Sequence, residues 1–253
     1  MRAGGDLSFG KIRPALVILI LLTCLSREAA PIGNSNYTGG NNGSGPGGGG
    51  ASADLISEDF EGAGAPSGWS TDTGTPDYDC TASPCPLVGS QSLSLGTADA
   101  AVFKGSLGSK SEVWFYFQFR FVSSVQNSTL LMDLRDSADN PAFQMDMTIN
   151  FMRVNDGGIN ASCVDGLSAD TTYHCWGHYL KGSGANDIAE IKFSTTGIRP
   201  ADGSNAHAKL TTGSLNRTID RFYFRKQFSD APVAVKFDKL RMSSIGDLGD
   251  NPS

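Results

Sequence analysis

The chain is expected to fold as an all-β protein, a two-sheet antiparallel β-sandwich of the jelly-roll kind, on three observations of its 253 residues. Between Ser111 and Val122, the residues Val113, Phe115, Phe117, Phe119 and Phe121 alternate with Trp114, Tyr116, Gln118 and Arg120. Side chains of an extended chain point to opposite faces in turn, so this stretch predicts a half-buried strand with one apolar face and one polar, aromatic face. The design returns at Phe143, Met145, Met147, Ile149 and Phe151 opposite Gln144, Asp146, Thr148 and Asn150, and at Phe222 and Phe224 against Arg221, Tyr223 and Arg225. Finally, no segment carries the apolar spacing of a long amphipathic helix. Sheets with one apolar face and no helix to cover it are satisfied by packing face to face.

In chain order, residues 1–30 have the outline of a signal peptide or lipoprotein leader. Arg2, Lys11 and Arg13 precede an apolar run, Ala15 to Leu25, that is short for a membrane span. Leu21-Leu22-Thr23-Cys24 resembles a lipobox, departing from it at Leu22 and Thr23, so Cys24 is a candidate for lipidation and a membrane tether. Residues 31–53 are Gly, Asn, Ser and Pro with almost nothing to bury, a flexible linker. Residues 54–253 form the sandwich domain. Strands are expected near 56–61, 91–95, 100–105, 111–122, 129–135, 142–154, 159–164, 172–181, 187–195, 219–226 and 233–243.

A net charge of −6 with no Lys/Arg run excludes the basic footprint that nucleic-acid binding requires. Cys80 and Cys85 are five residues apart, and Cys163 and Cys175 flank a polar turn. In an exported chain these four read as two local disulfides, because a four-cysteine zinc site needs closely spaced pairs and Cys163 and Cys175 are not one. Asn36, Asn42, Asn127, Asn160 and Asn216 begin Asn-x-Ser/Thr sequons, which have meaning only in a eukaryotic host.

The domain opens with Asp59-Phe60-Glu61-Gly62 and Pro66-Ser67-Gly68-Trp69 and closes with Phe237-Asp238-Lys239-Leu240-Arg241-Met242. This opening and closing resemble those of the concanavalin A-like lectin/glucanase jelly rolls, over about residues 55–245. The resemblance implies a secreted polysaccharide-binding or polysaccharide-degrading protein whose first and last strands pair. It also implies a structural calcium ion where their acidic residues meet, with Glu58, Asp59, Glu61 and Asp238 as candidate ligands, since Ca²⁺ takes hard oxygen donors. No other cofactor is required.

Glycosidases of this fold carry two carboxylates on alternate strand positions, about 5–5.5 Å apart in retaining enzymes. Glu58, Glu61, Glu112 and Glu190 do not have that spacing, which disfavours a retaining glucanase. A uronate lyase instead needs a cation or amide to neutralise the carboxylate and a Tyr or His to move the proton. Tyr116, Arg120, Gln144 and His178 would serve, although the Gln-Ile/Val-His strand motif of alginate lyases stops here at Gln144-Met145-Asp146. His174 and His178 lie about 13 Å apart on a strand, too far to share a zinc ion.

The leading expectation is therefore a secreted or surface-tethered carbohydrate-binding domain. Its ligand face would be Trp114, Tyr116, Gln118, Arg120, Gln144, Asp146, Arg221 and Tyr223, aromatic rings for sugar CH surfaces and amides or guanidiniums for hydroxyls. The alternatives are a polysaccharide lyase acting on the same face and a non-catalytic adhesion domain whose polar rows are merely solvated.

Overall fold

The computed structural model describes residues 54–81, 85–96, 98–122, 129–147, 151–156, 158–163, 165–227, 234–250 and 252. The leader, Cys24, the linker and Thr148, Ile149 and Asn150 lie outside the described residues. Among the described residues there are fifteen strands and no helix. They are β1 (Asp54–Glu58), β2 (Trp69–Thr73), β3 (Asp77–Cys80), β4 (Ser92–Leu95), β5 (Ala100–Lys104), β6 (Glu112–Phe121), β7 (Thr129–Arg135), β8 (Pro141–Met147), β9 (Met152–Asp156), β10 (Ile159–Ser162), β11 (Tyr173–Leu180), β12 (Asp187–Ser194), β13 (His207–Gly213), β14 (Arg221–Gln227) and β15 (Val235–Ser243).

These strands make two antiparallel sheets, the expected sandwich. The first runs β13-β12-β11-β6-β15-β4-β3, with β1 also paired to β15; the second runs β10-β9-β8-β7-β14-β5-β2. The pairing of β1 with β15, Ile56 opposite Met242 and Glu58 opposite Leu240, joins the first and last strands as the resemblance implied.

The phenylalanine row of β6 points inward: Phe115, Phe117, Phe119 and Phe121 are all within 1 % of complete burial. The second sheet meets it with Phe143, Met145, Phe222 and Phe224, and the Phe117 and Phe224 rings lie edge to face at 5.2 Å. Phe237 of β15 stacks on Phe224 at 4.1 Å, so one aromatic cluster pins β6, β14 and β15 together. Each buried ring contributes about 1.5–3 kcal/mol by removing apolar surface from water.

The expected strand over 142–154 is two strands. Met147 pairs with Met152, so β8 and β9 form a hairpin, and the inward parity flips across it. Phe151, expected in the inner row, is half-buried, whereas Met152 and Val154 take the inner positions. β2, β3 and β13 were not expected from the alternation; each lies at an end of its sheet.

Cys80 and Cys85 form the expected disulfide. The second expected bridge is corrected: Cys163 and Cys175 are both free, buried thiols. Cys175 lies on the inner face of β11 with its sulfur 3.8 Å from that of Met145, a packing partner from the opposite sheet.

Candidate functional site

The outer face of the first sheet is built by strand register. Trp114 of β6 stands opposite His178 of β11, Tyr116 opposite Trp176, and Gln118 opposite His174. On one side β15 adds Ser243, Arg241 and Asp238 to these three rows; on the other β12 adds Glu190, Lys192 and Ser194. Neighbouring side chains on one face of a sheet stand about 5 Å apart, so each row is a continuous strip of rings and polar groups.

The rings interact across the strands. Trp114 and His178 stack at 4.9 Å with their planes 8° apart, and Glu112 holds His178 in place through a 2.9 Å contact to Nε2. His174 and Trp176 lie nearly parallel at 6.0 Å. The Tyr116 ring packs on Trp176 at 5.5 Å and is only 1 % exposed. Tyr116 is thus not the open stacking platform the sequence suggested.

Its hydroxyl is the centre of a polar cluster. The Tyr116 hydroxyl lies 2.7 Å from His174 Nδ1, and Gln118 Nε2 donates to it at 3.1 Å. The phenol oxygen has two lone pairs, so beside the Gln118 bond it either donates to a bare Nδ1 or accepts from Nδ1–H, according to the His174 tautomer. Burial lowers the His174 pKa and so favours the neutral form. Burial also raises the Tyr116 pKa, outweighing the Gln118 hydrogen bond and the charge of Arg241 that oppose it. At neutral pH the pair is a protonated phenol beside a neutral imidazole.

Two clefts open on this face. One, of about 340 Å³, is lined by Trp114, Trp176 and His178 on the sheet and by Lys192, Arg199 and Asp247 around it. The other, of about 460 Å³, is lined by Tyr116, Gln118 and His174, with Val88, Lys239 and Pro252 at its rim. Between them runs the segment after β15, where the Trp176 indole N–H donates to the Gly249 carbonyl at 3.1 Å.

Trp114, Tyr116, Gln118 and Arg120 share this face, as expected of β6. Arg120 stands at its far end, 3.4 Å from Asp170. Gln144, Asp146, Arg221 and Tyr223 do not join them: β8 and β14 belong to the second sheet, whose outer side faces the opposite way. The eight-residue ligand face is therefore corrected to two separate faces. The lyase set divides likewise, Tyr116, Arg120 and His178 on the first sheet and Gln144 on the second. What the sequence reading left out is Trp176, Lys192 and Arg199. Trp176 was detectable, since it alternates with His174 and His178, whereas Arg199 is on a loop that no periodicity marks.

On the second sheet Tyr223 is 1 % exposed, covered by the guanidiniums of Arg225 at 4.4 Å and Arg135 at 4.9 Å from its ring. Asp133, fully buried, pairs with Arg135 at 2.9 Å and Arg225 at 3.2 Å, while Asp139 pairs with Arg221 at 2.9 Å and accepts from the Tyr223 hydroxyl at 2.7 Å. Asp146 forms an ion pair with Arg153.

The four carboxylates implied as calcium ligands are each bonded elsewhere. Asp59 pairs with Arg241 at 2.7 Å, Glu61 accepts from the Ser90 hydroxyl at 2.6 Å, and Glu58 accepts from the Phe60 N–H at 3.1 Å. Asp238 accepts from the Ser92 hydroxyl and the Lys239 N–H, both at 2.8 Å. Among the described residues, no three of these four bring ligand atoms within 4.8 Å of one another. Among the described residues, Glu190, Asp202 and His207 do bring ligand-type atoms within 4.8 Å of one another. Lys192 and Lys209 occupy that grouping, with Lys209 3.0 Å from Glu190, so it is a salt-bridge network.

No protein-family model matches the chain, and no curated protein does. Solved structures do match. The endo-β-1,4-glucuronan lyase of the fungus Trichoderma reesei superposes with a TM-score of 0.53 at 11 % identity, over 76 % of this chain and 95 % of the lyase. The cellulose-induced protein Cip1 gives 0.54 at 15 % identity, over 77 % of this chain and 99 % of Cip1. A sialidase gives 0.52 at 17 % identity, over 76 % of this chain and 19 % of the sialidase. At such identities the likeness is one of fold.

Proposed function

We propose that this chain, a concanavalin A-like β-sandwich, binds polysaccharide, and acidic polysaccharide in particular, on the outer face of its first sheet. The observation that carries the reading is the cleft of about 340 Å³ in which Trp114 and Trp176 lie beside Lys192 and Arg199. The Trp114 indole suits the CH surface of a sugar ring, and a lysine with an arginine suits its carboxylate, in a cleft whose lining is otherwise largely polar and includes Glu190, Asp202 and Asp247. The Cys80–Cys85 disulfide fits an oxidising, extracellular compartment, and so does the apolar leader of the sequence.

A glycan array followed by calorimetry tests this reading. Trp114→Ala is expected to weaken binding of the selected glycan at least tenfold, about 1.4 kcal/mol, because it removes the half-buried indole of the cleft. Unchanged affinity in that variant, or no glycan bound on an array that includes uronates, overturns it.

One observation favours a second reading, a polysaccharide lyase. Tyr116, His174 and Gln118 are bonded to one another at the wall of the larger cleft. In β-elimination a base removes the C5 proton of a uronate, the C4–O bond breaks as C4=C5 forms, and an acid returns a proton to the leaving oxygen. In the tautomer whose Nδ1–H donates to the phenol, the bare Nε2 of neutral His174 takes the C5 proton and the Tyr116 phenol gives its own to the leaving oxygen, while the second Gln118 amide hydrogen is free to bond the substrate carboxylate. Incubation with glucuronan, alginate and related uronates would raise absorbance near 235 nm; a flat trace across the panel removes the lyase reading and leaves the binding one standing.

A further inference from the structure

The segment after β15 runs Ser244-Ile-Gly-Asp-Leu-Gly-Asp250, and it does not leave the sheet. Gly249, at φ +74°, allows a turn closed by its own N–H donating to Asp247 Oδ1 at 3.0 Å. Leu248 borders the first cleft and Pro252 the second, so this strap is the wall between them. Its attachments are few. The Trp176 indole holds Gly249, and Arg199 holds the rest. Arg199 Nη1 meets both Asp247 oxygens, at 2.5 and 2.6 Å, its Nε lies 3.8 Å from Asp250, and its backbone N–H donates to the same carboxylate at 3.3 Å.

We propose that Arg199 is a uronate-carboxylate subsite of the polysaccharide face and that Asp247 of the strap occupies it as an internal competitor. The inference rests on the binding reading above and adds to it a named cation and a built-in inhibitor. The guanidinium binds carboxylates through charge-assisted hydrogen bonds whatever molecule supplies them, so a polymer carboxylate can take over what Asp247 now fills. Arg199 also lines the cleft floored by Trp114 and Trp176, so a sugar ring lying on the indoles brings its carboxylate within the arginine's reach. The Asp247 side chain is 49 % exposed and that of Arg199 29 %, and an ion pair so open to water adds little to folding and is readily exchanged. Displacing the strap uncovers Trp176, only 4 % exposed beneath it, and joins the two clefts into one groove suited to several sugar units.

The test compares wild type with Asp247→Asn/Asp250→Asn, with a deletion of 246–253, and with Arg199→Gln. Calorimetry would use trisaccharides of galacturonate, glucuronate and alginate at low and high salt. The double variant is expected to bind the preferred trisaccharide about tenfold more tightly than wild type, and Arg199→Gln about tenfold more weakly than the double variant when the two changes are combined. Acrylamide quenching in a Trp114→Phe background, where buried Trp69 adds a constant component beside Trp176, reports strap position independently of any glycan; quenching should rise in the double variant. If quenching rises and affinity does not change, the competitor inference is overturned while the binding reading stands. If quenching does not rise because the strap stays in place, the deletion decides, and equal affinity in a folded deletion variant overturns the inference too. If no trisaccharide binds any variant, the binding reading itself fails and the subsite goes with it.

Discussion

On the outer face of the second sheet, Tyr223 lies between the guanidiniums of Arg135 and Arg225, and each guanidinium is bonded to a buried aspartate. On the outer face of the first, Tyr116 is equally buried but is bonded to an imidazole and an amide, and clefts of about 340 and 460 Å³ open beside it. Both faces descend from the same alternating design of aromatics, arginines and amides. The difference is where the cations find their partners. On the second face Arg and Asp satisfy one another inside the sheet, leaving a cavity of about 60 Å³ near Arg225. On the first, the main cation beside the rings, Arg199, takes its partner from a strap that is not part of the sheet. A self-paired network holds a fold together; a network completed by a removable segment can exchange it for a ligand.

The comparison breaks most visibly if the second face proves dispensable. Asp133→Ala would leave Arg135 and Arg225 close together without their shared carboxylate, in a place where Asp133 itself is fully buried. Breaking a buried ion network by removing one member costs about 3–5 kcal/mol. Urea unfolding should show that loss while glycan affinity stays at the wild-type value. An unchanged unfolding midpoint would mean that the second face is not structural.

A second buried carboxylate sharpens the contrast at somewhat smaller scale. Asp238 on the first face is as buried as Asp133 but has no guanidinium; its partners are the Ser92 hydroxyl and the N–H groups of Val88 and Lys239. Burial outweighs these donors and pushes its pKa up to about 6. The folded state then holds a proton that the unfolded chain releases near pH 4, so the contribution of Asp238 to stability is greatest at low pH and is lost as pH rises through about 6. At about 1.4 kcal/mol per pH unit the loss is at most ~3 kcal/mol. The stability of wild type relative to Asp238→Asn should therefore fall between pH 4 and pH 6.5 in parallel denaturation curves. A difference that stays flat would mean that Asp238 titrates like an exposed carboxyl.

The inner rows of β6, β8 and β14 are legible in the sequence because alternation is local and burial of Phe115, Phe143 and Phe224 follows from it directly. What alternation does not encode is which sheet a strand enters. Nothing near Gln144 or Tyr223 reveals that β7 pairs with both β8 and β14, so the outer rows of three similar strands read as one surface when they are two. The strands that went unread are end strands with little to bury: β2 contributes Trp69, β3 Tyr78 and Cys80, β13 Ala208 and Leu210. Cys163 and Cys175 misled for the same reason as the outer rows, since local spacing suggested a bridge and the sandwich uses both thiols as apolar packing. Arg199 and the strap depend on contacts between residues 48 apart, beyond any local pattern.

The finest test places the two tyrosines side by side, since each is 1 % exposed and each carries a hydroxyl in a polar cluster. Tyr223→Phe removes the hydrogen bond to Asp139, and Tyr116→Phe removes the one to His174. Each loss should lower stability by about 1 kcal/mol, the ordinary net value of such a bond, so thermal unfolding alone will not tell them apart. Ligand-dependent measurements will. Tyr223→Phe should leave glycan affinity and any change in absorbance near 235 nm as in wild type, because its cluster is sealed by Arg135 and Arg225. Tyr116→Phe removes the proton donor at the wall of the larger cleft, so under the lyase reading it abolishes turnover while affinity, set by Trp114 and Arg199, changes less than threefold, under about 0.7 kcal/mol. If both tyrosines behave alike in every assay, the lyase reading fails and the open face is a binding surface alone.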